Sequence, residues 1–530
     1  MKIKISMLLA LCLGSVAFGA GTLTPQGAPA PTMKTLDEID QSISNTTAAV
    51  KIAEPRTPIS STPYSITKSG SYYLTKNLTG GALDIWVDNV TIDLKGFSII
   101  RSGGTAISLR GGTKKNIHVY NGTISAPNGN GIDFSVSKKG ANGLLENLRV
   151  YDCSGYGIAV GSGFVIRKVQ VHNAQFGIGV YRSSTVKDCT ITGCRSSGLS
   201  TMGSGAYIAN NIVKENKNNY SFSLDNHLNL VLSEVPQSLD WPCSVRFAGT
   251  LTSTNTDVDG ITINADNITI DMAGHALVGP GTSSKNGIFQ DATFKNLRVF
   301  NGKISNWKGS IACGICAKGK NNILTNIQAS ENSTGIHSSY ASILSKCAAY
   351  KNSSSGISCG EGSTINHCTA YKNGGTGIFS AKASTVSMCT AHDNGMIGLF
   401  IYEGSTLSKC TAYKNGEDGI QAKESTITGC TSRYNKGDGI VVSKNSLVKG
   451  NNCSYNENYG IQILGATSRV DENTAAKNFK GIGSAYSGNI IVRNTASGNT
   501  NSNYSTVSGS NIGTIRTTPV GAGAWDNFSF

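Results

Sequence analysis

The sequence is poor in charge, proline and methionine, and beyond its first twenty residues it holds no apolar stretch long enough to span a bilayer. Charged residues are only 15% of the 530, against 11 Pro and 7 Met. Long helices with charged outer faces are thereby disfavoured. No short Lys/Arg-rich block occurs, which argues against a nucleic-acid partner. The seven histidines form no metal-ligand spacing, and neither a nucleotide-binding loop nor a serine-hydrolase elbow is present. What is abundant is glycine, at 63, which suits short strands joined by many tight turns.

The start, "MKIKISMLLALCLGSVAFGA", sets Lys2 and Lys4 before an apolar run that ends in Ala17, Gly19 and Ala20. This is the layout of a cleaved export signal, so residues 1–20 are expected to be a signal peptide and the protein to be secreted: extracellular, periplasmic or on the cell surface. Leu11 before Cys12 speaks against a lipid anchor there. Without Lys2 and Lys4 the chain has 44 basic and 32 acidic residues, a net charge of +12. Such an excess favours polyanionic partners, acidic glycans among them.

Gly followed by Ile or Leu recurs at 314, 335, 356, 377, 398, 419, 439, 460 and 481, every 21 residues with one step of 20. Other columns keep the same step: Cys347, Cys368, Cys389, Cys410, Cys430 and Cys453; Asn352, Asn373, Asn394, Asn415, Asn435 and Asn456. A fixed period of this length signals a stack of supersecondary units. The L-x-x-L-x-L core of leucine-rich repeats is missing. Short segments such as "STVSM" and "GIFSA", separated by Gly and Asn, instead predict about three strands per coil of an all-β, right-handed parallel β-helix. Coils stacked ~4.8 Å apart put like residues over like, so a column of inward asparagines can pass amide hydrogen bonds along the axis.

The cysteine column sits where other coils place small apolar residues, which predicts buried free thiols rather than disulfides or a soft-metal site. Cys313-Gly-Ile-Cys316 is a C-x-x-C, but its Gly-Ile is the repeat marker, and this weighs against a redox or zinc reading.

Residues 21–55 begin Pro/Gly/Ala-rich and continue with Met33, Leu36, Ile39 and Ile43 at helical spacing, predicting a linker and a short capping helix. "DNVTIDLKGFSII" (88–100) returns as "DNITIDMAGHALV" (266–278), and "NIHVYNGTIS" (116–125) as "NLRVFNGKIS" (296–305), at offsets of 178 and 180. Two homologous β-helix modules are expected, 56–225 and 226–510. The end, 511–530, leaves the repeat and carries Trp525, Phe528 and Phe530, the pattern of a C-terminal cap over exposed core.

The repeat "STITGCTSRYNKGDGI", the strand pair "VTIDLKG"/"ITIDMAG" and the leader "LTPQGAPAPTMKTL…EPRTPIS" resemble the secreted bacterial right-handed parallel β-helix repeat proteins of the pectate-lyase-like superfamily. That resemblance spans most of residues 22–530. It implies the fold. Members include polysaccharide lyases, glycoside hydrolases, uronate epimerases and adhesins, so it assigns no single activity.

Strand alternation turns one column of "CTAYKN" outward: Tyr350, Tyr371, His392, Tyr413 and Arg433, beside Lys351, Lys372, Asp393 and Lys414. Tyrosine faces can stack on sugar rings, and lysines at coil spacing can meet the carboxylates of an acidic polymer. Stacked tyrosines with solubilising lysines would equally cover a solvent-facing sheet. His392 and Asp393 break the pattern. They are candidates for a proton-transfer centre, with Lys372 or Lys414 countering the charge of a uronate, although drift within one coil would produce the same change. Acidic residues elsewhere in the repeat are scattered, apart from Asp418 and Asp438 in one turn column, so paired-carboxylate hydrolysis is disfavoured. "NTDVDGITINAD" (255–266) has the spacing of a calcium loop, with Asn255, Asp257, Asp259 and Asp266 as candidate ligands, but its flanks read as strands and its twelfth position is Asp.

The expectation is a secreted β-helix protein binding an extracellular acidic polysaccharide along the outer face, with no cofactor required and Ca²⁺ the single candidate. Two alternatives stay open: a polysaccharide lyase or uronate epimerase on the same face, and a non-catalytic surface adhesin or structural solenoid.

Overall fold

The computed structural model describes residues 54–136, 141–203, 205–222 and 227–530. The signal peptide expected at 1–20 and all but the end of the linker and capping helix expected at 21–55 lie outside these residues. Arg56–Phe530 form one compact unit built of short strands, with no helix among the described residues.

One coil shows how the repeat works. Its first strand is Ile378–Ser380, its second Thr385–Ser387 and its third Thr390–His392. Each strand pairs in parallel with its counterpart one coil later: Ile378 with Leu399, Val386 with Leu407, Ala391 with Ala412. Strand alternation sends Ile378, Ser380, Val386 and Ala391 inward, and all are fully buried. From Gln237–Leu239 to Ser502–Thr506 the first strands form a sheet of 13. The fold is therefore the expected parallel β-helix.

The cysteines run in single file. The Cys389 amide donates to Cys410 Sγ (3.4 Å), and the Cys410 amide donates to Cys430 Sγ (3.5 Å). All thirteen described cysteines are free and buried. One position differs from the sequence reading: Cys453 pairs with Ser432 and belongs to the neighbouring inward column of small residues. The cysteine column passes instead to Asn451, whose Oδ1 accepts the Cys430 amide at 2.8 Å. From there a second asparagine ladder runs Asn451, Asn473, Asn494 and Asn527, with Nδ2 to Oδ1 distances of 2.9, 3.0 and 3.1 Å.

The main asparagine ladder is continuous. Asn352, Asn373, Asn394, Asn415, Asn435, Asn456 and Asn478 each donate Nδ2 to the next Oδ1 at 2.9–3.1 Å. The same Oδ1 also accepts the preceding asparagine's backbone amide, as Asn415 does from Asn394 at 3.3 Å. The amides of this ladder are thereby satisfied, which removes the penalty of roughly 1–3 kcal/mol for an unpaired polar group.

The Gly of each Gly-Ile marker is there for space. A Cβ on Gly377 would lie 2.6 Å from both Asn394 Nδ2 and the Gly398 carbonyl, and on Gly398 2.5 Å from Asn415 Nδ2 and 2.6 Å from the Gly419 carbonyl. The ladder and the glycine column require one another.

The duplicated segments take equivalent places. Ile92 pairs with Val119 in the first copy, and Ile270 with Val299 in the second. At the expected 225/226 boundary one sheet runs on, since His227–Leu232 pairs with Tyr207–Lys214 on one side and Ser244–Phe247 on the other, whereas the first-strand ladder is interrupted: Asn218–Ser221 pairs back to Ser197–Thr201, and the sheet of 13 starts afresh at Gln237–Leu239. At the far end, Asn527–Ser529 pairs with the last third strand, and Asn527 supplies the final rung of the second ladder. Phe528 and Phe530 lie parallel at 5.9 Å. Trp525 packs away from them, under the guanidinium groups of Arg469 and Arg493.

Candidate functional site

The outward column of the third strands is assembled as the repeat requires. Tyr350 pairs with Tyr371, Tyr371 with His392, His392 with Tyr413, and Tyr413 with Arg433. The rings of Tyr350 and Tyr371 stack at 4.9 Å and 10°, those of Tyr371 and His392 at 5.0 Å and 6°. At coil spacing the rings of Tyr350, Tyr371 and His392 thus cover one another's faces. What points outward is the ring edges and phenol hydroxyls, not the faces that a sugar ring would stack on.

The next residue along forms a second column. Lys351, Lys372, Asp393 and Lys414 all have φ between 52° and 54°. This left-handed conformation turns the chain so that the following Asn points into the core while the charged side chain projects into solvent. Lys351, Lys372 and Lys414 form no ion pair among the described residues, and the Lys414 ammonium lies 5.2 Å from the centre of the Tyr413 ring. His392 Nδ1 and Asp393 Oδ2 are 2.7 Å apart on this exposed face.

Asp418 and Asp438 meet in the turn between third and first strands. Asp418 Oδ1 accepts the Asp438 amide and Asp438 Oδ1 accepts the Tyr459 amide, both at 2.8 Å. Burial pushes the Asp438 carboxyl up to about 6, with the charge of Asp418 adding to the effect. Each carboxylate bonds to the backbone of the next coil, so the pair holds the turn.

The calcium-loop candidates are spread apart. Asn255 Oδ1 accepts the Asp257 amide (2.9 Å), Asp259 Oδ1 accepts the Asn286 amide (2.8 Å), and Asp266 Oδ1 accepts the Lys295 amide (2.9 Å). Among the described residues no group of three or more His, Cys, Asp or Glu side chains is placed to hold a metal ion.

A cleft of about 1270 Å³ opens beside the first-strand sheet, lined by the segments 257–259, 282–286 and 308–312. Its floor holds Phe289, Cys316 and His337, one above another in register. Cys313, Lys318 and Asp259 also line it.

The family model for the right handed beta helix region matches residues 75–219, 252–406 and 380–479, together well over half of the chain. The chain belongs to the right-handed β-helix family. No curated protein matches it. Among solved structures, the Dettilon tailspike protein aligns with 53% of this chain and 62% of its own length, at 14% identity and a TM-score of 0.38. The A-module of the Azotobacter vinelandii mannuronan C-5 epimerase AlgE4 aligns with 89% of this chain and 92% of its own, at 9% identity and a TM-score of 0.28. This chain thus spans less than two thirds of the tailspike's length, and at these identities the likeness is one of fold.

On this β-helix the aromatic ribbon is longer than the sequence columns indicate. Beyond Tyr413 it shifts by one residue, into the left-handed column. Tyr434 meets Tyr413 edge-on at 5.6 Å, and Tyr455 stacks on Tyr434 at 4.8 Å. Arg433 lies over both, 5.4 and 5.5 Å from their ring centres, and Lys477 lies 5.3 Å from that of Tyr455. The signal was present in "CTSRYN", where Arg-Tyr replaces Tyr-Lys. A column-by-column reading separates the two tyrosine sets because it assumes that contacts stay within one column.

Proposed function

We propose that this β-helix binds an acidic polysaccharide, lying along the solenoid axis over the ribbon from Tyr350 to Tyr455. One observation carries the reading: exposed lysines at one position of the coil (Lys351, Lys372, Lys414) stand beside a row of phenol hydroxyls, with the half-buried Arg433 continuing the positive charge over Tyr434 and Tyr455, and these lysines form no ion pair among the described residues. A repeating polyanion satisfies such a row, one charge for each coil or two. Recognition is then by ion pairs and hydrogen bonds at ring edges, and salt should weaken it. Binding of pectin and alginate to the folded protein, measured in rising salt, tests the reading with the Lys351→Glu, Lys372→Glu, Lys414→Glu triple variant beside it. Loss of binding in the triple variant is expected, and unchanged binding removes the proposal.

The close His392–Asp393 contact within the ribbon supports a second reading, a polysaccharide lyase or uronate epimerase on this face. Ultraviolet absorbance of unsaturated uronates, followed with and without calcium, tests the lyase form. Exchange of the C5 hydrogen with solvent deuterium tests the epimerase form.

A further inference from the structure

Thirteen cysteines are described, and most lie in core columns, each surrounded by the backbone and side chains of adjacent coils. Cys313 and Cys316 do not. Gly314 and Ile315 between them both face inward: Ile315 is fully buried, and a Cβ on Gly314 would meet Asn332 Nδ2 at 2.8 Å and Ile304 Cγ2 at 3.1 Å. Two consecutive inward residues break the alternation of the strand, and so the flanking Cys313 and Cys316 both line the cleft. There the two thiols face the same space and each shifts the ionisation of the other.

The surroundings are those of a reactive pair. Cys316 is in register with His337 on the next coil and Phe289 on the preceding one. Lys318, exposed at the end of the same strand, and Lys285 and Lys308 on the rim give the cleft ammonium groups. The neighbouring Cys313 thiol holds the Cys316 thiol below its ordinary value against the opposing effect of burial, and the Lys318 charge adds to the lowering. Cys313 is pushed up as the proton-bearing partner, first by its interaction with Cys316 and then by burial. A thiolate beside a second thiol and a cation is the form that attacks disulfides.

We propose that Cys313 and Cys316 are a thiol–disulfide exchange site for low-molecular-weight disulfides carrying carboxylates, which enter the cleft between its lysines. The Cys316 thiolate attacks one sulfur of the disulfide RS–SR. An S–S bond forms to Cys316 as the RS–SR bond breaks, and RS⁻ leaves. Cys313, giving up its proton to solvent, then attacks Cys316 Sγ. The intramolecular disulfide forms and the second RS⁻ departs. The two protein thiols are oxidised by two electrons and RSSR is reduced to two RSH, so no other oxidant is needed. The inference is independent of the polysaccharide reading, since the cleft and the ribbon lie on different strands.

Oxidised glutathione is the probe. The full-length, reduced, folded protein is incubated with it, quenched in acid, alkylated and mapped by mass. The expected result is loss of two hydrogens from the peptide holding Cys313 and Cys316, with release of two reduced glutathiones, while Cys368, Cys389 and Cys410 remain alkylated. The Cys313→Ser variant should stop at a glutathione adduct on Cys316, and the Cys316→Ser variant should carry no adduct. Free thiols at both positions in the oxidised wild type would overturn the proposal, as would equal oxidation of the ladder cysteines. A glutathione adduct that persists in the wild type overturns the closing step, and one on Cys313 in Cys316→Ser overturns the assignment of the nucleophile. The wild-type map requires no variant to fold.

Discussion

The imidazole of His392 lies flat on the ring of Tyr371, 5.0 Å away and 6° from parallel. The substitution of His for Tyr in the middle copy therefore preserves the stack while changing the group at its outer edge. It also brings Asp393, on the following residue, to within 2.7 Å of Nδ1.

Because the Tyr371 ring is covered by Tyr350 and His392, and the Tyr413 ring is met by the Lys414 ammonium and by Tyr434 edge-on, hydroxyls and not ring faces are the ligand-facing groups. Tyr371→Phe combined with Tyr413→Phe should weaken polyuronate binding nearly as much as the double Ala variant. At about 0.5–1.5 kcal/mol per lost hydrogen bond, the double Phe variant should lose roughly 5- to 140-fold in affinity by titration calorimetry. Full binding by the Phe variant would show that ring faces make the contact.

Asn394 Oδ1 accepts both the backbone amide and Nδ2 of Asn373, at 3.2 and 2.9 Å. Asn394→Ala strands two buried donors, each costing about 1–3 kcal/mol. A lower urea midpoint is expected, with Asn394→Ala well below the exposed control Lys372→Ala. Equal midpoints would show that the ladder adds nothing to stability.

Gly398→Ala tests the glycine column without removing any polar group. The added methyl would lie 2.5 Å from Asn415 Nδ2 and 2.6 Å from the Gly419 carbonyl, where neither can retreat without breaking the ladder. A loss of about 1–3 kcal/mol is expected, read as a fall in melting temperature. Gly404→Ala, at a turn with φ of 69° and space around it, should cost less.

Asp438 gives the fold a pH dependence. Its carboxyl titrates near 6 in the folded chain and near 3.9 unfolded, so its neutral form favours folding. That contribution is complete below pH ~4 and is lost as pH rises through about 6. Asp438→Asn keeps an oxygen to accept the Tyr459 amide and removes the titration. The variant should match wild type near pH 4 and exceed it at pH 7, by up to about 3 kcal/mol. A constant difference across this range would assign the effect to another group.

Much of the architecture was legible because stacking makes each structural requirement recur. A position that must hold Asn for its amide, Gly for its lack of a Cβ, or Cys for its size must hold it again 21 residues on, and repetition exposes the requirement. The columns through Asn352, Cys368 and Gly377 were read correctly for this reason. Cys453 was placed in the wrong column although the coil keeps its 21-residue step there: it lies 21 residues after Ser432 and 23 after Cys430, whose place is taken by Asn451. Two inward positions lie two residues apart in each coil, both accept a small side chain, and residue type alone cannot say which of them a cysteine fills.

The candidate site was legible only in part. The sequence by itself determined that Tyr350, Tyr371, His392 and Tyr413 share a face, since strand alternation and coil period leave them no other arrangement. Only the tertiary structure decided that the rings of Tyr350, Tyr371 and His392 stack face to face, that Tyr434 and Tyr455 extend the ribbon from the adjacent column, and that Cys313 and Cys316 open into a cleft. Ring orientation, contacts between columns and loop walls depend on side-chain rotamers and on turns of unequal length, and these vary from coil to coil while the repeat stays the same.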